Sequence, residues 1–145
     1  MLKITVNEGF SDTEVIINCF KTSEDVLKLV TLLQGLNKKL LGVKKGQTFL
    51  IDSQDVLFFD TVDKRNFIYT ENDVFDTVLK LYEIEEQLSG IGFIRCSKSM
   101  IINIDKIKSL CPDFGGRMEV TMINGERLIV SRQYTKLLKE RLGIK

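Results

Sequence analysis

Residues 93–110 read FIRCSKSMIINIDKIKSL, and this stretch decides the class of fold. Its β-branched and aromatic residues come in short runs that polar residues interrupt, as in strands that end at tight connections. The pattern predicts a strand at Phe93–Cys96, a loop at Ser97–Ser99, a second strand at Met100–Asn103 and a helical turn around Ile104–Ile107. Short strands joined in this way indicate a mainly β domain.

The same texture extends upstream to about residue 46. Three strands and one hairpin turn are predicted there: Thr48–Ile51, Val56–Thr61, Asn66–Thr70, and the turn Val62–Arg65. The tip of that hairpin presents four polar residues, which are Asp63, Lys64, Arg65 and Asn66. Two adjacent cations therefore stand on the tip. A further strand at Asp73–Val78 and a helix that ends before Gly90 complete this part.

Downstream of residue 110, the sequence predicts a second hairpin and a terminal helix. Arg117–Ile123 and Arg127–Val130 are strands, and the Asn124-Gly125 pair between them suits a type I′ turn. The helix is then predicted with a cap, a body and a stop: Ser131, Arg132–Leu142 and Gly143. Arg132 thus opens a helix, where a cation opposes the helix dipole. Two interpretations stay open, namely that its guanidinium is reserved for an anion or that it pairs with a carboxylate.

The first 45 residues form a separate, smaller unit in this interpretation. Strands are predicted at Leu2–Val6 and Glu14–Phe20, followed by a helix that Thr22 caps and Gly42 ends. Apolar residues recur along that helix at helical spacing: Val26, Leu29, Val30, Leu33, Leu36 and Leu40. The chain is therefore divided into residues 1–45, a strand-strand-helix segment, and residues 46–145.

Composition excludes most catalytic chemistry. The 145 residues include no His, which excludes Ser-His-Asp catalysis, Cys-His catalysis and His-ligated zinc. The three cysteines form no CxxC pair, and no phosphate-binding glycine loop is present. We therefore expect that the protein is not an enzyme and that it binds no cofactor, no metal and no small-molecule substrate. The chain shows neither a signal peptide nor a membrane-spanning run, which indicates a cytoplasmic protein.

Charge is distributed unevenly along the chain. Residues 1–90 hold 10 Lys+Arg and 15 Asp+Glu, whereas residues 91–145 hold 11 and 5, so the net charge changes from −5 to +6. Cations also stand on three predicted loop tips: Lys64/Arg65, Lys98 and Arg132. A basic surface of this kind suits a polyanion, although a merely solvated surface has the same composition.

The stretches FIRCSKSMIINIDKIKSL and GGRMEVTMINGERLIVSRQYTKLLKERLG resemble the LytTR family of bacterial DNA-binding domains. The hallmark of that family is an aromatic-x-R-x-x-(K/N)-S strand and loop, an apolar-apolar-Asn, and a helical turn that leads to I-x-S-(L/I). Seven residues fill these positions here: Phe93, Arg95, Lys98, Ser99, Asn103, Ile107 and Ser109. The opening hairpin is also similar, so the resemblance runs from about Gly46 to Leu142.

The resemblance implies an α+β fold, mainly β, with about ten short strands and a C-terminal helix. It implies sequence-specific binding of duplex DNA by loops that enter successive major-groove segments. The implied DNA-binding residues lie on the hairpin tip, on the following loop and at the start of the last helix: Lys64, Arg65, Asn66, Ser97, Lys98, Ser99, Arg132 and Gln133. Arg132 and Arg65, or its neighbour Lys64, would read bases, while Ser97, Ser99 and Gln133 would hold phosphates.

Residues 1–45 are too few for the receiver domain that often precedes this domain in response regulators. The chain instead resembles the short stand-alone LytTR regulators. We expect the N-terminal segment to form a homodimer, which would align two copies with a repeated operator. The resemblance also implies, as a candidate partner, a membrane protein that regulates the chain.

Two other classes of function stay open at this point. A protein- or RNA-binding module could use the same basic loops, although RNA recognition usually requires exposed aromatic residues on them. An enzyme is disfavoured, because no nucleophile-and-base set is found. Cys96 lies inside the resemblance as a candidate redox thiol, but its place on a strand favours an ordinary buried cysteine.

Overall fold

The structure, a computed structural model, describes residues 3–35, 38–88 and 90–144. Three helices and ten strands follow one another along the chain: α1 Glu24–Gly35, β1 Lys39–Lys44, β2 Gln47–Asp52, β3 Val56–Val62, β4 Arg65–Thr70, β5 Val74–Thr77, α2 Leu81–Gln87, β6 Phe93–Ser97, β7 Met100–Asn103, β8 Ile107–Pro112, β9 Met118–Met122, β10 Arg127–Val130 and α3 Arg132–Leu142. The expected α+β fold with about ten strands and a C-terminal helix is confirmed.

The strands form two antiparallel sheets. One has seven strands in the order β2-β1-β5-β4-β3-β7-β6, and the other has three in the order β10-β9-β8. Strand β3 lies inside the larger sheet and is buried on both faces, since Phe58 and Phe59 are 1% and 0% exposed. Their side chains point to opposite faces because successive residues of a strand alternate.

Each face of β3 belongs to a different hydrophobic core. Phe59 packs in a core that includes Ile84 of α2, so α2 covers that face. Phe58 packs in a core shared with Val120 of the small sheet and Leu138 of α3. The large sheet is therefore the middle layer, and the small sheet and α3 hold its second face.

Turn geometry differs from the sequence prediction at one hairpin. Asp63 and Lys64 have φ of 50° and 65°, so the β3–β4 turn carries the two positive φ angles of a type I′ turn. Asn124-Gly125 does not, because only Gly125 has a positive φ, of 90°. The Gly125 N–H donates to the Met122 carbonyl at 2.9 Å. The predicted type I′ turn there is thus wrong, and a longer loop with one left-handed glycine replaces it.

The strands predicted for the N-terminal segment are not found. Residues 3–20 contain no strand, and Leu2, where the first was predicted to begin, lies outside the described residues. Apolar alternation alone does not make a strand, because its backbone needs a partner strand and its side chains a core. Phe20 and Ile16, for example, are fully and mostly exposed.

The predicted helix is present but shorter. Its cap is Ser23 rather than Thr22, since the Ser23 Oγ accepts the Val26 N–H at 3.4 Å. The helix ends at Gly35 instead of near Gly42, and Leu36 lies outside the described residues. Leu40 belongs to β1, where it pairs with Ile51 of β2 and is buried. The predicted division after residue 45 therefore falls inside the β1–β2 hairpin.

Candidate nucleic-acid interface

The β3–β4 and β6–β7 hairpins lie side by side at one end of the large sheet. Strands β3 and β7 are paired, with Asp60 opposite Met100. Beyond this pair, the Thr61 N–H donates to the Ser99 carbonyl at 2.9 Å. The hydrogen bond joins the two loops, so the cations on their tips keep a fixed spacing.

The start of α3 is held against the end of β6. Both the N–H and the hydroxyl of Ser131 donate to the Cys96 carbonyl, at 2.8 Å and 3.2 Å. The side chain of Ser131 therefore makes no cap hydrogen bond to α3, and the predicted capping contact is wrong. The hydroxyl instead fixes the helix to the large sheet. Arg132 and Gln133 consequently lie next to the loop that begins at Ser97.

Arg95 shapes the β6–β7 loop from inside. Its Nε donates to the Ser97 carbonyl at 2.9 Å, and its Nη2 donates to the Lys98 carbonyl at 2.7 Å. The Ser97 Oγ accepts the Ser99 N–H at 3.2 Å. The carbonyls thus point inward and the Lys98 side chain is left exposed to solvent. The sequence placed Arg95 in the motif but did not show that it organises the loop.

The residues on the tip of the β3–β4 hairpin have different environments. Lys64 is exposed, and the described residues supply it with no ion pair. Arg65 is engaged, since its Nη2 lies 2.6 Å from the Asp76 Oδ1 and its guanidinium lies over Phe67 at 5.2 Å. Lys64 is therefore the cation of this tip that remains available.

Asn66 is used inside the protein. Its Nδ2 donates to the Leu79 carbonyl at 2.8 Å, and its Oδ1 accepts the Thr61 hydroxyl. Both ends of the amide are satisfied by neighbouring segments. In this arrangement, Asn66 supports the hairpin, and its expected DNA contact stays a prediction.

Arg132 and Gln133 are both exposed at the start of α3. Within the described ranges, no carboxylate lies within ion-pair distance of Arg132, so a pairing carboxylate, one of the two open interpretations, finds no support. The stem of Arg132 passes close to Gly116, where an added Cβ would lie 3.2 Å from the Arg132 Cγ. The guanidinium is therefore placed by packing and is left without a charged partner.

The β8–β9 connection is a fourth loop at this end. The sequence predicts a loop at Pro112–Gly116 there but gives it no part in DNA binding. Arg117 lies 3.0 Å from Asp113, and its Nε donates to the Phe114 carbonyl at 3.1 Å. The Asp113 N–H donates to the Arg117 carbonyl at 2.9 Å. The Gly115-Gly116 pair, with φ of 73° and 82°, was the available signal, because both residues adopt left-handed backbone.

Cys96 lies beneath this surface rather than on it. It is fully buried, and burial raises the pKa of its thiol to about 12. Burial also raises the pKa of the neighbouring Asp60 carboxyl. A thiol with such a pKa carries almost no thiolate at neutral pH, so the interpretation as an ordinary buried cysteine is confirmed. Cys19 and Cys111 are exposed and free.

Other kinds of site find little support in the described parts of the chain. No group of three or more His, Cys, Asp or Glu side chains in those residues could hold a metal ion. No described helix is both long and apolar enough to cross a membrane. The notable feature of the surface is therefore the end of the molecule where four loops meet.

Comparison with known proteins gives consistent matches. The sequence model of the LytTR family, described as the LytTr DNA-binding domain, matches residues 46–143. Two Staphylococcus aureus proteins, from strains NCTC 8325 / PS 47 and N315, are each 30% identical over 145 residues, covering 99% of this chain and 98% of their own. Both are named as uncharacterized HTH-type transcriptional regulators.

A solved structure is also similar. It is a LytTr DNA-binding domain from Bacillus cereus, with a TM-score of 0.71 and 27% identity, covering 74% of this chain and 99% of that one. In the described part of this chain, strands separate each helix from the next, so no helix-turn-helix is formed.

Proposed function

Because the chain belongs to the LytTR family of bacterial DNA-binding transcriptional regulators, we propose that it binds duplex DNA sequence-specifically through the four-loop end. The loops enter successive segments of the major groove, and the protein acts as a transcriptional regulator in the cytoplasm. The packing of the fold does not explain why cations lie at this end of the molecule, whereas DNA binding explains their position.

One observation carries the proposal. Lys64, Lys98 and Arg132 stand on three loops, all are exposed, and the described residues hold no ion pair for any of them. The loops that carry them are joined by the hydrogen bonds from Thr61 and Ser131. Unpaired cations at fixed spacing suit the phosphates and guanine edges of a duplex, which present acceptors in a regular array.

The environment of each side chain suggests its role. Arg132 and Lys64 are free to donate to guanine O6 and N7. Arg65 is 65% exposed but shares its charge with Asp76, so we assign it a secondary role in DNA binding on that tip. Ser97, Ser99, Lys98 and Gln133 line the adjacent surface and would bind phosphates, which fix register. Asn66 supports the tip from within.

We also propose that the active species is a homodimer formed by the N-terminal third. Among the described residues, thirteen of the 22 exposed large apolar side chains lie within residues 3–50, and Leu40 is the one described hydrophobic core residue in that range. If each exposes roughly 80 Å², the total is on the order of 1,000 Å², which exceeds the ~800 Å² that each partner of a standard interface contributes. A second copy would cover this apolar surface.

Light scattering tests the dimer. The full chain should show about twice its mass of 16.6 kDa. Aspartate in place of both Leu27 and Leu32, which are 55% and 47% exposed on α1, should give the monomer. Leu137→Asp on α3, where the side chain is 38% exposed, is the matched control and should leave the mass unchanged. A monomeric wild type would refute the dimer.

Fluorescence anisotropy tests the DNA-binding proposal. The full chain is titrated onto its own promoter region and onto scrambled DNA, each at two salt concentrations. We expect promoter preference and a steep loss of affinity with salt, since each neutralised phosphate contributes about −0.9 to the slope. Equal and weak binding to both duplexes would contradict the proposal and direct the search to a protein or RNA partner.

Arg132→Ala should weaken promoter binding by about 10- to 100-fold, the range expected for loss of a bidentate guanine contact. The matched control is Arg141→Ala, which removes the same side chain nine residues, or about 13 Å, further along α3. Arg141 is exposed as well. The control should bind as the wild type does, and equal losses in both variants would exclude base reading by Arg132.

A further inference from the structure

The β8–β9 connection presents a bare aromatic ring at the four-loop end. Phe114 is 87% exposed, which is more than any other described aromatic residue within 46–143; the next, Tyr82, is 58% exposed. A phenylalanine ring has no hydrogen-bonding group, so its exposure to water does not stabilise the protein. Such exposure on a binding surface indicates an apolar contact with the ligand.

The loop that carries Phe114 is closed on itself. The ion pair of Arg117 with Asp113 and the hydrogen bond from Arg117 to the Phe114 carbonyl close the loop backbone around this residue. A third bond runs from the Asp113 N–H to the Arg117 carbonyl. The backbone that carries the exposed ring is therefore ordered before any partner binds, which lowers the entropy that binding must spend on the backbone of this loop.

Phe114 shares its surface with Arg132. Gly116, two residues after Phe114, lies against the Arg132 stem, where an added Cβ would approach the Cγ to 3.2 Å and the Cδ to 3.4 Å. A Cβ at this position would require the Arg132 stem to shift by a few tenths of an ångström, and the φ of 82° also favours glycine. The aromatic loop and the Arg132 side chain are therefore close enough to contact one ligand.

In the major groove, the 5-methyl group of thymine is the apolar group that a base edge offers, and phenylalanine is one of its known contacts. We infer that Phe114 contacts the 5-methyl group of a thymine close to the base that Arg132 reads. The inference rests on the proposed DNA-binding function and adds a specificity-determining residue to it. The residue that recognises this thymine thus lies on the β8–β9 loop, which is not one of the three loops that carry the cations.

The test uses the full chain, the promoter duplex and a set of duplexes in which one thymine at a time is replaced by uracil, which lacks only the 5-methyl group. At one position, uracil should lower the affinity of the wild type about four-fold, the effect of one buried methyl group. Phe114→Ala should bind the thymine duplex about ten-fold more weakly than the wild type. At the sensitive position, the variant should bind the thymine and uracil duplexes equally.

Ile123→Ala is the matched control. Ile123 is a 41% exposed apolar residue at the other end of the small sheet, beyond strand β9. This variant should keep both the affinity and the uracil sensitivity of the wild type.

The outcomes separate the two proposals. Promoter preference in the wild type, together with unchanged affinity of Phe114→Ala, would overturn the Phe114 contact alone. Equal uracil sensitivity of wild type and Phe114→Ala would overturn it as well. Absence of promoter preference in the wild type would overturn the proposed function and this inference with it.

Discussion

Removal of the Arg95 side chain should damage DNA binding without removing a DNA contact. The guanidinium holds the Ser97 and Lys98 carbonyls at 2.9 Å and 2.7 Å. It faces Glu85 at 3.8 Å rather than solvent at the loop tip. Arg95→Ala therefore removes the two hydrogen bonds that support the β6–β7 loop. It removes none of the side chains on the outer surface of that loop.

The magnitude follows from these two bonds. A hydrogen bond from a charged donor contributes about 1.5–3 kcal/mol when it is well shielded. The Arg95 side chain is 21% exposed, and water can replace part of each bond. We therefore expect the free energy of unfolding to fall by about 2 kcal/mol for the pair, which lowers Tm by about 6–8 °C. Arg95→Lys should lose nearly as much, because one ammonium group cannot reproduce the planar fork.

Urea denaturation measures the stability change, and promoter binding at several salt concentrations measures the role. Arg95→Ala should bind about ten-fold more weakly, with the salt slope of the wild type. Lys98→Ala should reduce that slope by about 0.9, the value for one lost phosphate contact, with little change in stability. If Arg95→Ala flattens the slope as Lys98→Ala does, or unfolds at the wild-type urea concentration, the positioning role is refuted.

Three further predictions concern buried groups. Asn103→Ala should lower the free energy of unfolding in urea by about 2–3 kcal/mol, since the 3% exposed amide bonds the Val56 carbonyl and the Asp105 N–H. Asp60→Asn should stabilise the fold at pH 7 and have no effect near pH 3. Burial raises the pKa of Asp60 above its usual 3.8, so the stability it contributes is present below that pKa and is lost as pH rises through the folded value. With Ellman's reagent at pH 8, Cys19 and Cys111 should react quickly and Cys96 only on unfolding, because its pKa is about 12.

Several strands were predictable from the sequence, because alternating apolar residues between polar turn residues are a local signal. The pattern around Met100–Asn103 predicts a strand, and β7 has those bounds. The helix over Arg132–Leu142 was equally predictable, because Gly143 ends it with left-handed backbone, at φ of 71°. The spacing of apolar residues and the residue types at turns depend on neighbouring residues, so a single sequence is enough to predict these elements.

The N-terminal prediction was wrong because local periodicity does not show whether a segment has a pairing partner. Residues 14–20 alternate as a strand does, but no described strand pairs with them and Val15 is 60% exposed. Leu40 continued the helical spacing, yet pairing with Ile51 of the adjacent strand placed it in β1. Pairing and packing override local periodicity in both directions.

The sequence did not reveal which polar residues of the candidate site make contacts inside the protein. Arg65 and Asn66 are expected from the sequence to contact DNA, and Arg95 is identified there only as part of the motif. The structure uses Asn66 and Arg95 to fix backbone carbonyls and ties Arg65 to Asp76. Which donors turn inward depends on carbonyls brought close by folding, so residue type could not reveal it.

This division between inward and outward groups has a consequence for how DNA specificity can change. The tips are placed by backbone bonds, such as those from Thr61 and Ser131, and not by the cations that they carry. Exchange of Lys98 or Arg132 therefore leaves those bonds intact, and surface substitutions of this kind usually change stability by no more than about 0.5 kcal/mol. If these cations read bases as proposed, base preference at one tip can change while the other loops keep the protein in register on the duplex. Under that proposal, a fold that separates the placement of the loops from base recognition would allow one scaffold to bind many operators.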